Sequence, residues 1–124
     1  MQTAEQIFEE VRGDFLGKTE EVCIVIGSEP FFKEVIGTAK ALTVSCHVQE
    51  FFAPVLRHKA KRMAIAHNHP TGYLIPSKND LISTKALIEA AEMLGVVFVD
   101  HLIIHEEQFL SMYALGHIPQ REVY

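Results

Sequence analysis

Cysteine is scarce in this sequence: only Cys23 and Cys46 occur in 124 residues, too far apart for a Cys-x-x-Cys pair. That excludes a disulfide scaffold and a thiolate-built metal site, so any metal ligands have to come from His, Asp and Glu. Cys23 lies in an apolar run and Cys46 beside one, as core thiols would in a reducing, cytoplasmic setting. Long apolar runs are missing too. None reaches the roughly 18 residues that a transmembrane helix needs, and the N-terminus has no signal-peptide pattern. Positive charge is in short supply: 11 Lys and Arg stand against 16 Asp and Glu, a net charge of −5. A domain so balanced lacks the footprint of a nucleic-acid binder, and direct nucleic-acid binding is not expected of it. The basic cluster of His58, Lys59, Lys61 and Arg62 reads as a solvated helix end. No internal repeat, low-complexity segment or long linker is present.

What is present suits one compact domain, residues 1–124, with 48% apolar residues to fill one core. Ile7, Phe8, Val11 and Phe15 share a face of a helix expected from Thr3 to Leu16, with Thr3 and Gln6 as a capping box and Gly17 as its stop. Glu21 to Ile26 reads as a buried strand and Gly27 to Pro30 as a turn. Phe31 to Ile36 and Ala41 to Cys46 read as two more strands, split near Gly37. His47 to Lys59 has helical spacing at Val48, Phe51, Phe52, Val55 and Leu56. Pro54 falls inside it, so the alternative is a helix that starts at Ala53. Arg62 to His67 is a buried strand running into a loop with Pro70, Gly72 and Pro76. Ser77 to Leu94 is a helix with Leu87, Ile88, Ala91 and Leu94 on its inner face, ended by Gly95. Val96 to His105 and Gln108 to Met112 make a hairpin around Glu106-Glu107. The order of elements predicts an α/β sandwich with a mixed sheet.

His67 and His69 stand two apart where a strand ends. In extended chain such residues share a face, with Cα atoms roughly 6–7 Å apart, so two imidazoles can converge on one ion. A pair of exposed loop histidines is the plainer reading. Asp80, in the first turn of the next helix, would complete a three-ligand set that leaves one tetrahedral position for water, as in a catalytic zinc site. Equally, Ser77-x-x-Asp80 is a capping box in which the carboxylate needs no metal. The local sequence leaves both open, and the two roles are compatible.

His67-Asn68-His69-Pro70-Thr71-Gly72, then Pro76-Ser77, then Asp80, resembles the signature of the RadC family, part of the JAB/MPN (JAMM) metalloprotease-like superfamily, whose pattern is His-x-His, seven residues, Ser, two residues, Asp. Asp100-His101-Leu102-Ile103-Ile104 and the helix start His47-x-x-Glu50 extend the resemblance over nearly the whole chain. Thr71 stands where the family writes Ser, and Val48-Gln49 where it writes Pro-Arg. The resemblance implies a three-layer-like JAB/MPN (cytidine-deaminase-like) fold. It also implies one zinc ion on His67, His69 and Asp80, and a zinc-activated water that hydrolyses an amide or isopeptide bond in a peptide or protein substrate. A glutamate at the start of an early strand serves as base in the superfamily. Glu21 resembles it, with Glu20 next and Glu50 third. Ser77 corresponds to the serine that supports the oxyanion. Asn68 reads as an orienting or loop-closing residue. Asp100 and His101 are candidates to hydrogen-bond a ligand histidine, with a core histidine as the other reading of His101. Full-length relatives usually carry a helix-hairpin-helix region before this domain; none precedes it in this sequence. The other function classes are a non-catalytic interaction module and a DNA-associated factor, as the family's repair label suggests.

Overall fold

A computed structural model describes residues 3–38 and 47–119. The expected strand Ala41 to Cys46 lies outside these residues. Thr3 caps α1 (Ala4–Val11) with the expected box, its side chain accepting from the Gln6 amide. The helix tightens into a 3₁₀ turn over Arg12–Phe15 rather than running on to Leu16 as an α-helix. Phe15 stays buried through that turn, so the apolar stripe survives the change of pitch.

Strands β1 (Val22–Ser28) and β2 (Phe32–Thr38) pair antiparallel. The expected turn at Gly27 to Pro30 is thus corrected: Gly27 and Ser28 belong to β1. The reason is Phe32, whose ring lies where a side chain at position 27 would project; a Cβ there would sit 2.0 Å from Cε1. That ring is buried and stacks on His58, with centroids 4.5 Å apart, so it has no free path aside. Gly27→Ala is therefore expected to cost about 1–3 kcal/mol through overpacking. Urea unfolding measures it, and an unchanged midpoint would contradict the close approach.

Helix α2 (His47–Arg57) runs through Pro54, so the longer reading of that helix holds, ending two residues earlier than expected. At its exit Arg57 pairs with Glu34, and Lys59 and Lys61 are exposed, as a solvated helix end should be. Then follow β3 (Arg62–Asn68), α3 (Lys78–Leu94), β4 (Val97–His105) and β5 (Gln108–Ser111). The five strands are ordered β2-β1-β3-β4-β5. Among the described strands only β3 and β4 pair in parallel, and α3 is the crossover that joins them.

Alternation along the strands divides the core. Cys23, Val25, Met63, Ile65 and Phe98 face α2 and α3, where they meet Phe51, Phe52, Val55, Leu87 and Ala91. Ile24, Ile26, Ala64, Ala66, Leu102 and Ile104 face α1 and meet Ile7, Phe8, Val11 and Phe15. The result is an α/β sandwich with helices on both faces of a mixed sheet, the architecture of the JAB/MPN fold. The inner face of α3 differs from expectation: Leu94 is 47% exposed, and the buried positions are Asp80, Ser83, Thr84, Leu87 and Ala91. The first turns of this helix thus turn polar groups inward, onto the end of β3. No helix among the described residues is long and apolar enough to cross a membrane.

Candidate metal centre

His67 is the penultimate residue of β3, 1% exposed, and paired across the sheet with Cys23 of β1 and Ile103 of β4. His69 follows just past the strand, where its amide still reaches the Ile104 carbonyl at 2.9 Å. The chain then turns at once. Gly72, at φ +91°, donates to the His69 carbonyl, and the turn carries the Tyr73 carbonyl to 2.6 Å from His69 Nδ1. A carbonyl only accepts, so Nδ1 carries a proton, and Nε2 faces inward.

Asp80 arrives from the other side. Ser77 caps α3: its Oγ accepts from the Asp80 amide at 3.0 Å, while its own amide donates to Asp80 Oδ2 at 2.7 Å. The same carboxylate turns Oδ1 to His67 Nε2 and Oδ2 to His69 Nε2, both at 3.2 Å. The capping box thus forms, and it leaves the carboxylate facing both histidines. One oxygen caps the helix and both face the histidines.

His67 Nε2, His69 Nε2 and the Asp80 oxygens enclose a triangle with sides of 2.9, 3.2 and 3.2 Å. Bonds of about 2.0–2.1 Å in a tetrahedron set donor atoms about 3.3 Å apart. Two imidazole nitrogens and a buried carboxylate at this spacing fit one face of the shell around a small divalent cation. His67, Asp80 and His101 make an overlapping group, with ligand-type atoms within 4.8 Å of one another. The first triangle is the tighter. Asp80 faces Nε2 of His67, whereas His101 faces Nδ1, at 2.7 Å. His101 is thus placed to orient a ligand ring rather than to join it on one ion.

Charge at the centre follows from these contacts. Burial pushes the Asp80 carboxyl up, but hydrogen bonds from His67 and His69 outweigh it and hold the pKa far below the usual carboxylate range. The hydrogen bond to Asp80 raises His69 against the effect of burial, and the charges of Asp80 and Glu21 add to the rise. Burial, then the neighbouring His67, push His101 well down, so that ring is neutral. Burial beside the Asp80 charge likewise pushes the Cys23 thiol up and keeps it protonated and inert.

Glu21 precedes β1. It stands two residues before Cys23, which pairs with His67, and its charge is felt at His69. Asn68 turns to the strand edge, as a loop-closing residue would. Its Oδ1 accepts from the Val22 amide at 2.6 Å and its Nδ2 donates to the Glu20 carbonyl at 3.0 Å, so one side chain grips the backbone on either side of Glu21. Glu20 and Glu50 have exposed side chains, the latter in the first turn of α2. Ser77 is exposed beside the triangle. Asp100 is not brought to the histidines. It accepts from the His101 and Tyr113 amides and from Ser111 Oγ, pinning the turn after β5.

His101 satisfies both of its readings, being 0% exposed within β4 and bonded to His67. Thr84, whose Oγ1 lies 2.6 Å from His101 Nδ1, went unread in the sequence. The available signal was its position four residues after Asp80, hence on the same face of the helix.

Comparison with known proteins shows the family. A family model described as a RadC-like JAB domain matches residues 1–117. A UPF0758 protein of Bacillus cereus is 32% identical over 117 residues, 93% of this chain and 51% of the relative. Another from Picosynechococcus is 35% identical over 91 residues, 73% of this chain and 37% of the relative. A third, from Desulforamulus reducens, is 41% identical over 81 residues, 65% of this chain and 35% of the relative. The chain thus spans about a third to a half of the length of these curated relatives. With the motif, the fold and a match over almost its whole length in agreement, the chain belongs to the RadC-like JAB domain family.

Proposed function

We propose that this domain is a zinc-dependent hydrolase that cleaves an amide or isopeptide bond in a peptide or protein, with water as the nucleophile. The observation that carries this reading is the triangle of His67, His69 and Asp80, whose sides of 2.9–3.2 Å suit three donors to one zinc ion and leave the fourth direction open. Zinc held there supplies water acidic enough to ionise near neutral pH and a positive charge to polarise a carbonyl. The remaining roles fall to the chain. Glu21, whose charge is felt at His69, takes the proton of the attacking water and returns it to the departing amine. Asn68, by its grip on the backbone at Glu20 and Val22, sets the direction from which Glu21 reaches in. Ser77 uses its Oγ lone pair to cap α3 and keeps its O–H to donate to the carbonyl oxygen as that oxygen becomes negative. The amide-hydrolase chemistry comes from the superfamily resemblance; the donor set and the charge of Glu21 near His69 support it.

A library of peptide and isopeptide substrates tests the proposal. Zinc-loaded protein is expected to cleave a subset, and the activity is lost on chelation and restored by zinc. Ser77→Ala is expected to lower turnover about 100- to 1,000-fold as an oxyanion donor and stability by about 1 kcal/mol as a cap. Normal turnover with lowered stability would confine Ser77 to capping. No cleavage by fully loaded protein across the library would remove the hydrolase reading.

A further inference from the structure

His67 has both ring nitrogens engaged, one facing Asp80 and His69, the other facing His101. Beyond His101 the contacts continue to Thr84 Oγ1 at 2.6 Å and from there to Met112 Sδ at 3.7 Å. His101 and Thr84 are 0% and 1% exposed, so solvent offers them no substitute partners. We propose that His67, His101 and Thr84 form a tautomer relay that decides which nitrogen of His67 carries its proton, and that metal loading reverses every hydrogen bond along it. The inference rests on the metal-site reading above.

The direction of the metal-free relay follows from one fixed point. The Asp80 carboxylate only accepts, and its Oδ1 lies 3.2 Å from His67 Nε2. Without an ion, His67 Nε2 is therefore the donor to that oxygen. Its Nδ1 is left to accept. His101 therefore donates from Nε2, and its Nδ1 accepts the Thr84 hydroxyl. Each donor along the line meets an acceptor.

A metal-binding imidazole presents its lone pair to the ion instead. With Nε2 of His67 so used, the proton resides on Nδ1 and is donated to His101 Nε2. His101 carries its own proton on Nδ1 and donates to Thr84 Oγ1, whose hydrogen turns to Met112 Sδ. Each ring holds one proton in both states and Thr84 keeps its hydroxyl hydrogen, so the count balances while every direction reverses. A hydroxyl both accepts and donates, which lets Thr84 close the line either way. His101 and Thr84 are thus positioning residues for the ion, through His67.

Nitrogen-15 NMR of the imidazole rings, with zinc alone as the probe, reads this directly. On zinc loading, His67 and His101 are each expected to change from the Nε2–H to the Nδ1–H tautomer. Zinc affinity, measured by chelator competition, is expected to fall about 10- to 100-fold in Thr84→Val and His101→Phe. Thr84→Ser, which keeps the hydroxyl, is expected to stay near the parent value. The same His101 tautomer with and without zinc, or parent-like affinity in folded Thr84→Val, would overturn the relay while leaving the metal site intact. Failure of the parent protein to bind zinc would overturn both, a result distinct from the other two.

Discussion

Asp80→Asn is expected to abolish stoichiometric zinc. Metal analysis of the parent should give about one ion per chain, and chelator competition should show the variant weaker by more than the roughly 10- to 100-fold that loss of an outer partner costs. His69→Ala should match it. The increment that zinc adds to folding, about 2.7 kcal/mol at a free concentration of 100 times Kd, should vanish in both variants. Acidity acts on the same centre with a defined sign. Asp80 has a folded pKa depressed below its usual 3.8, so its contribution to stability is present above that value and lost as pH falls through the folded one. His69 is raised above 6.5, so its contribution in metal-free protein is complete below 6.5 and lost as pH rises through its folded value. The metal-free parent should therefore exceed Asp80→Asn in stability most clearly between these two ordinary values, with the gap narrowing on either side. As pH falls, zinc affinity should weaken about tenfold per pH unit for each ring proton that the ion displaces, and the weakening should set in already above pH 6.5 because His69 holds its proton longer than a free imidazole. Parent-level zinc in Asp80→Asn would remove the carboxylate from the centre.

Glu21→Gln is expected to separate metal from chemistry. The amide keeps the size and polarity of the carboxylate but takes no proton, so zinc content should stay at one per chain while turnover falls about 100- to 10,000-fold. The same substitution at Glu20 should leave turnover within a few-fold of the parent, because that side chain is exposed and only its carbonyl is engaged, by Asn68. The reverse pattern would make Glu20 the base. Loss of zinc in Glu21→Gln would turn Glu21 from proton carrier into part of the metal shell.

The site was legible where its parts are local. Ser77-x-x-Asp80 and Thr3-x-x-Gln6 are short-range hydrogen-bonding patterns and formed as written, and His67-x-His69 kept the shared face that extended chain imposes. The strand cores and the β4–β5 hairpin were equally plain, because their apolar runs end on turn residues. What escaped depends on contacts far apart in the chain. Gly27-Ser28 looked like a turn until Phe32 folded across it. Leu94 fitted the apolar stripe of α3, yet that helix spends its first inner positions on Asp80, Ser83 and Thr84 because it must serve the end of β3. His101 meets His67 across 34 residues through a parallel register that sets Ile65 beside His101, and no local pattern encodes a register. Asp100, adjacent to it in sequence, bonds instead to Ser111 and Tyr113.

The double duty of Asp80 also fixes an order of events. In zinc fingers the ion is the nucleus of folding, and the empty chain is a coil. Here Ser77 already ties the carboxylate to the start of α3, and Tyr73 already aims His69, both through contacts that involve no ion. On the proposed function, the chain completes its fold first and acquires its zinc afterwards, as a late maturation step. Supply of zinc then governs how much of the protein is active, and adds only its binding increment to a fold already formed.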